Sequence, residues 1–413
     1  MRRIGPHAAL AFGAVLLGAC TDGEFRTLLP DGAVAGYPEV VRLVDERVLD
    51  FDAVADDEAT GGLGVHFKLR VPGEAIAVGV MLEGKLSGAY RVGEWLDDDQ
   101  KALASLDDGG LNPEVCYDCL NPTASSDVVN AAMAPNNERV HFAPGTHRLI
   151  AIGERFEIDL SKEGVRTLVR TGDPIGGVAR MSAYAKIVPK LPETGRVDLN
   201  IHFTGAQGWD AASAAQNPAL AAVLARVTDI WSQVGLSIGR VSYFDVDPGF
   251  EVINDPGTPA PNSDLHSLRR AGTKEPGVNL FFIGTFGFTY GSFHPVGLAS
   301  GIPGPWRNGT SSSGVTVALD DHVENEVLDT AAVARTVAHE VGHELGLFHT
   351  TSLGGVTDPI GDTDDSCTQL MYFATSCATG SDPVGDKLSV EQGKVLRRNM
   401  HVYHGDAAED VNP

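Results

Sequence analysis

The sequence predicts an α/β (α+β) protein: a β-rich, sandwich-like domain over 37–190, followed by a domain over 196–405 in which strands and helices alternate. Two observations carry this. Short apolar or alternating runs, separated by Gly, Pro, Asp and Asn, fill the first half. The second half changes to a strand, helix, strand, helix, strand order, with LPETG at 191–195 as the linker.

In the first half the runs are GVHFKLRV (64–71), AIAVGVMLEG (75–84), RVHFA (139–143), HRLIAIG (147–153) and SAYAKIV (182–188). Each has strand length and is bounded by turn residues. Only WLDDDQKALASL (95–106) reads as a helix there. In the second half RVDLNIHFTG (196–205) alternates like a strand. PALAAVLARVTDIWSQVG (218–235) has a helical period, with Pro218 in the first turn and Gly235 past the end. Strands follow at 236–246, 277–286 and 314–320, with a short helix expected at SDLHSLRRAG. SVEQGKVLRRNM carries capping-box spacing between Ser389 and Gln392. The Gly-, Pro- and Ser-rich segment 300–313 reads as a surface loop.

The chain has 413 residues, with 31 Lys+Arg against 55 Asp+Glu and a formal charge of −24. That length predicts two domains, and that charge argues against nucleic acid as a partner, because phosphate binding needs basic patches. Arg2 and Arg3, the apolar run Ala8–Leu17 and the small residues after it have the build of an export signal over 1–19. Leu17-Gly18-Ala19-Cys20 resembles a bacterial lipobox, which implies lipidation of Cys20 and a tether over 20–36. The expected location is the bacterial cell envelope, held by that lipid, at the outer membrane in a Gram-negative cell. The other four cysteines fall into close pairs, Cys116/Cys119 and Cys367/Cys377, read as two local disulfides of an exported chain. A tail over 406–413 is expected to be disordered, and the protein to be a monomer.

The chemistry lies in DTAAVARTVAHEVGHELGLFHT, residues 329–350. Val333, Val337, Val341 and Leu345 form one row at i, i+4 spacing; Arg335, His339 and His343 form another, turned roughly 200° away at two residues' offset. One row can pack into a core while the other faces a cleft. Asp329 or Thr330 is the expected N-cap. Two histidines at i and i+4 can share one zinc ion, and a catalytic site needs a third ligand with one position left open. His349 supplies it only if the helix ends and the chain turns back, and Gly346 stands where a left-handed C-cap would fall.

HExxHxxGxxH is the zinc signature of the metzincin metallopeptidases, which this sequence resembles. CTQLMYFATSC (367–377) places Met371 where that clan has its Met-turn. GLFHT together with DPIGDTDDSC looks most like the pappalysin-like branch. The resemblance implies a mixed sheet with a long active-site helix, Zn²⁺ on His339, His343 and His349, Glu340 as the catalytic base, and protein or peptide substrates. Several branches carry a tyrosine two residues after the methionine; here that position is Phe373, so Tyr372 and Phe373 stand only as pocket candidates. Asp358, Asp362, Asp364 and Asp365 are candidate calcium ligands, as hard oxygen donors crowding one loop. An extended substrate is expected along the strand near Gly314–Asp320. Two other readings belong to different classes. One is an inactive surface-binding lipoprotein that keeps the zinc-stabilised fold. The other makes the first domain an inhibitory pro-segment that reaches the zinc through Cys116, Cys119 or a nearby Asp.

Overall fold

The structure is a computed structural model describing residues 33–34, 37–54, 64–84, 90–104, 129–138, 140–159, 167–255, 263–289, 294–351, 357–374 and 385–405. The export segment, Cys20, Cys116, Cys119, Cys377 and the tail lie outside the described residues. Cys367 takes part in a disulfide. No described helix is long and apolar enough to cross a membrane.

The N-terminal half folds as two sheets over one apolar core. The first runs β1 (Ala33–Val34), β2 (Tyr37–Asp50), β10 (Val178–Ile187), β4 (Ala75–Glu83), β7 (Val129–Ala134). The second runs β3 (Gly64–Val71), β8 (Gly145–Asp159), β5 (Tyr90–Leu96), β6 (Ala102–Ala104), with β9 (Thr167–Pro174) also paired to β8. Among the described residues every pairing in both sheets is antiparallel. Residues from both sheets, among them Val78, Val80 and Leu82 of β4 and Phe67 and Leu69 of β3, share one buried cluster. Two expectations are corrected here. Over its described part, 95–104, the run expected as a helix is not one: β5 ends at Leu96, the chain turns, and β6 returns alongside it. Buried Asp97 holds that turn by accepting from Lys101 N and Ala143 N, and Trp95 is fully buried with its indole donating to His147 Nδ1. The second correction concerns the tether, whose Ala33–Val34 pairs with β2 as a strand.

The C-terminal half is built on a mixed sheet ordered β12 (Leu236–Asp245), β11 (Gly195–Phe203), β14 (Val278–Ile283), β17 (Val315–Ala318), β16 (Gly297–Ala299). The first four strands are parallel and β16 is an antiparallel edge. Short ladders complete it: β13 (Val252–Ile253) with β15 (Thr285–Phe286), β18 (Val323–Glu324) with β19 (Val327–Leu328), and β20 (Val402–Tyr403) on the start of β11. Helix α1 (Pro218–Ser232) is capped by Asn217, which accepts from Ala219 N and Leu220 N. Helix α2 (Asp264–Ala271) is capped by Ser263, and α4 (Val390–Arg398) by the Ser389–Gln392 box.

Alternation along the strands sorts the core. Leu199, Ile201, Phe203, Leu280, Phe282, Val315 and Val317 meet α1 and α3 (Thr330–Glu344) on one face. Phe281, Ile283 and Ala318 meet Leu265 and Leu268 of α2 on the other. The stripe Val333, Val337, Val341 and Leu345 of α3 is at most 1% exposed and lies in the first of these cores.

The two halves are packed together through the outer face of the β2–β10–β4–β7 sheet. Val40, Ala77, Met81, Val129, Ala131 and Tyr184 from that face enclose Trp306 and Met400. The segment 300–313, expected on the surface, is therefore largely buried, with Ser311, Ser312 and Ser313 at most 3% exposed. Its Trp306 ring lies over Gly79, where no side chain would fit, and edge-on to Tyr184. Lys186, fully buried, donates to the carbonyls of Arg397, Asn399 and Val402, three acceptors for the three donors of an ammonium. Arg307 adds ion pairs to Glu46 and Glu83.

Candidate metal centre

Helix α3 starts on Asp329, whose carboxylate accepts from Ala331 N and Ala332 N. It ends in a two-bond turn: Gly346 N donates to His343 O and Leu347 N donates to Gly342 O, each at 2.9 Å. Those two bonds are the Schellman arrangement, which needs a left-handed residue at its corner, and Gly346 has φ +109°. The chain then doubles back and brings His349 to the other two histidines.

The Nε2 atom of His349 lies 3.2 Å from that of His339 and 3.1 Å from that of His343. Nitrogens about 2.0–2.1 Å from a tetrahedral zinc stand roughly 3.3 Å apart, so the three atoms are spaced as ligands of one ion. Their other faces fix the tautomers. His339 Nδ1 meets Leu370 O at 2.7 Å and His343 Nδ1 meets Leu347 O at 2.6 Å, so each Nδ1 carries the proton and each Nε2 offers its lone pair. Burial pulls His343 down to about 4, and His339 and His349 well below the usual imidazole range, with the neighbouring histidines adding to it for both. All three are thus neutral, as metal ligands must be. Among the described residues these three alone form a cluster with metal-ligand spacing.

Met371 sits beneath the helix, fully buried. A Cβ on Gly342 would come within 2.9 Å of its Sδ, so the glycine inside HEVGH is where the two segments touch. Met371 O accepts from Thr350 N at 3.0 Å, tying the residue after the third histidine to the same turn. Tyr372 and Phe373 pack on each other, half-buried, just beyond it.

Glu340 is buried, and burial pushes it up to about 8 against the pull of an Ala299 N–H bond and of Arg269 and Arg335. It lies against the edge strand: a Cβ on Gly297 would be 2.7 Å from Glu340 Oε1 and 2.8 Å from Thr336 Cγ2. This corrects the expected substrate strand. Val315–Ala318 is interior, paired on both sides, and the sheet ends at Gly297–Ala299, beside Glu340.

The four aspartates do not converge. Asp358 takes Thr363 Oγ1 and Ile360 N, Asp362 takes Glu391 N, Asp364 takes Ser366 N and Gln369 Nε2, and Asp365 is exposed. Three of them serve as local turn or cap acceptors, which leaves the calcium expectation unsupported.

Two buried groups gave no sequence signal. Glu344, beside His343, accepts from Ser300 Oγ at 2.9 Å, and its own carbonyl takes Gly304 N at 3.0 Å; this fastens the 300–313 loop to the helix. Arg269 of α2 reaches Leu298 O on the edge strand. Both lie in segments whose pattern reads as ordinary polar helix surface.

No protein-family model and no curated protein matches the sequence. Among solved structures, the chain is similar to archaemetzincin from Methanopyrus kandleri, with 15% identity, TM-score 0.28, and coverage of 50% of this chain and 88% of that one. It is also similar to metalloproteinase-II from Bacteroides fragilis, with 14% identity, TM-score 0.31, and coverage of 53% and 62%. The chemistry open to this chain rests on its own three histidines.

Proposed function

We propose that the protein is a zinc-dependent endopeptidase acting on protein or peptide substrates. The observation that carries this is the convergence of three neutral imidazole Nε2 atoms, two of them locked by backbone carbonyls, with Glu340 one residue from the first ligand. A zinc ion held there supplies a Lewis acid for a peptide carbonyl and lowers the pKa of a water to about 7.

The chain's residues supply the rest. His339, His343 and His349 hold the ion, and Leu370 O and Leu347 O keep two of the rings in register. Glu340, next to the ligand His339, takes a proton from the attacking water and passes it to the leaving nitrogen. β16 ends the sheet beside Glu340 and offers its backbone to an extended peptide, which would add as a further strand. The complete ligand set with Glu340 favours this over an inactive binding protein. The sequence anatomy around Cys20 supports export and lipid anchoring to the cell envelope.

The test is metal analysis combined with peptide-library digestion, on the parent and Glu340→Gln. The parent should bind one zinc and cleave internal peptide bonds. Glu340→Gln should keep its zinc and lose about 10²–10⁴ in turnover, the usual share of general acid–base catalysis. Cleavage by the variant at the parent's rate would refute the role of Glu340.

A further inference from the structure

β7 is buried along its whole length, and its alternate residues serve three cores. Ala132 and Ala134 pack between the two N-terminal sheets, whereas Val129 and Ala131 face the other half of the molecule around Trp306. Met133, on that same outward face, goes further. Among the described residues of the N-terminal half, it alone belongs to the core that holds the valine stripe of α3. The thioether reaches the bend that ends the helix: a Cβ on Gly346 would stand 3.3 Å from Met133 Cε, with Val395 Cγ1 at 3.6 Å and Pro303 Cβ at 3.9 Å. Pro303 sits in the 300–313 loop, fastened to the helix by Gly304 N on Glu344 O and to the N-terminal half by Trp306 on Gly79. Glu138, just past β7, accepts from Gly361 N at 2.9 Å.

The bend at Gly346 therefore has part of its outer wall supplied by the N-terminal half. That bend decides two things at the metal centre: where His349 arrives, and where Leu347 O meets His343 Nδ1. An unbranched thioether is suited to filling such an irregular gap.

We propose that Met133 is a positioning residue for the metal site, acting through the Gly346 turn on His349 and His343, so that the β-rich half is a working part of the peptidase and not a removable inhibitor. This rests on the zinc reading of the three histidines. In the full chain Met133 fills the space against Gly346; its removal lets the turn relax into the vacated space and widens the spread of the third ligand.

The experiment measures zinc affinity by competition with a chromophoric chelator, for the parent, Met133→Ala, Met133→Val, Met133→Leu and Met81→Ala. Met81 is buried in the cluster between the two halves and is not part of the core that holds the helix, and the three atoms nearest a Cβ on Gly346 belong to other residues. Met133→Ala should bind zinc about 10- to 100-fold more weakly, the usual effect of losing support behind a ligand. Met133→Leu, of similar volume, should restore affinity to within about threefold. Met133→Val should fall between and keeps the test open if the alanine variant does not fold. Met81→Ala should lower the melting temperature and leave zinc affinity unchanged. Parent-like zinc affinity in Met133→Ala, or in Met133→Val where the alanine variant does not fold, would overturn the proposal while leaving the zinc reading intact. So would an equal loss of affinity in Met81→Ala, since Met133 would then act only through general stability. A parent that binds no zinc would remove the zinc reading itself, and this proposal with it.

Discussion

Replacing Gly342 by alanine sets two effects against each other, and the structure decides the sign. In an exposed helix interior the change would stabilise by about 1 kcal/mol, because glycine is the poorer helix former. Here the new methyl would lie 2.9 Å from Met371 Sδ and 3.4 Å from its Cε. The first distance is about 0.6 Å short of the ~3.5 Å at which nonbonded atoms settle. Met371 is fully buried, so it can yield only by moving its own turn. Overpacking of this kind costs about 1–3 kcal/mol, and the net expectation is a loss of roughly 0–2 kcal/mol. The larger effect should fall on the metal. Leu370, next to Met371, accepts from His339 Nδ1 at 2.7 Å, and Met371 O accepts from Thr350 N, so a displaced turn disturbs two ligands together. Zinc affinity should drop about 10- to 100-fold. The assay is chelator competition on Gly342→Ala, Met371→Ala and the double variant, with chemical denaturation of each. Removing the thioether should relieve the clash, giving a coupling of about 1–2 kcal/mol in the cycle. A Gly342→Ala protein that gains the full helix benefit and holds zinc like the parent would refute the contact.

Two further outcomes follow from other parts of the fold. Burial pushes Asp358 up to about 7 from 3.8, with Asp362 and Glu138 adding to the shift. The folded chain then keeps a proton that the unfolded chain has released, so stability should fall as pH rises from about 4 to about 7, by at most about 1.4 kcal/mol per pH unit. Asp358→Asn mimics the protonated acid and should flatten that slope in denaturation measured across the window; an unchanged slope would exclude Asp358 as its source. Gly79→Ala would put a methyl 2.1 Å from Trp306 Cη2, displacing the ring that joins the two halves. We expect a loss of about 1–3 kcal/mol and a red shift in tryptophan emission; unchanged melting and emission would mean that the ring does not sit there.

Some elements were plain in the sequence because local chemistry alone determines them. Asp329 and Ser389 each satisfy helix N–H groups within three residues of themselves, and Pro218 opens one helix with Gly235 just past its end. Other signals misled for a physical reason. WLDDDQKALASL has helical composition, but Asp97 is recruited by Ala143 N, far along the chain, and holds a turn instead. The 300–313 segment is rich in loop residues yet buried, since composition reports turn chemistry and not what packs on top. β4 reads as a nearly continuous apolar run, AIAVGVMLE, which is the mark of a strand covered on both faces.

By itself the sequence determined the three-histidine cluster. The offsets of His339, Glu340, His343, Gly346 and His349 lie within one helix and one turn, where backbone geometry converts spacing into position without help from the rest of the chain. Tertiary structure alone decided what surrounds that site: which strand ends the sheet beside Glu340, which buried groups brace the helix, and that a methionine from the other half rests on its final bend. Those contacts join residues from 40 positions apart, for Gly304 and Glu344, to 213, for Met133 and Gly346. Each depends on how sheets and helices stack, and no local pattern in the sequence encodes it.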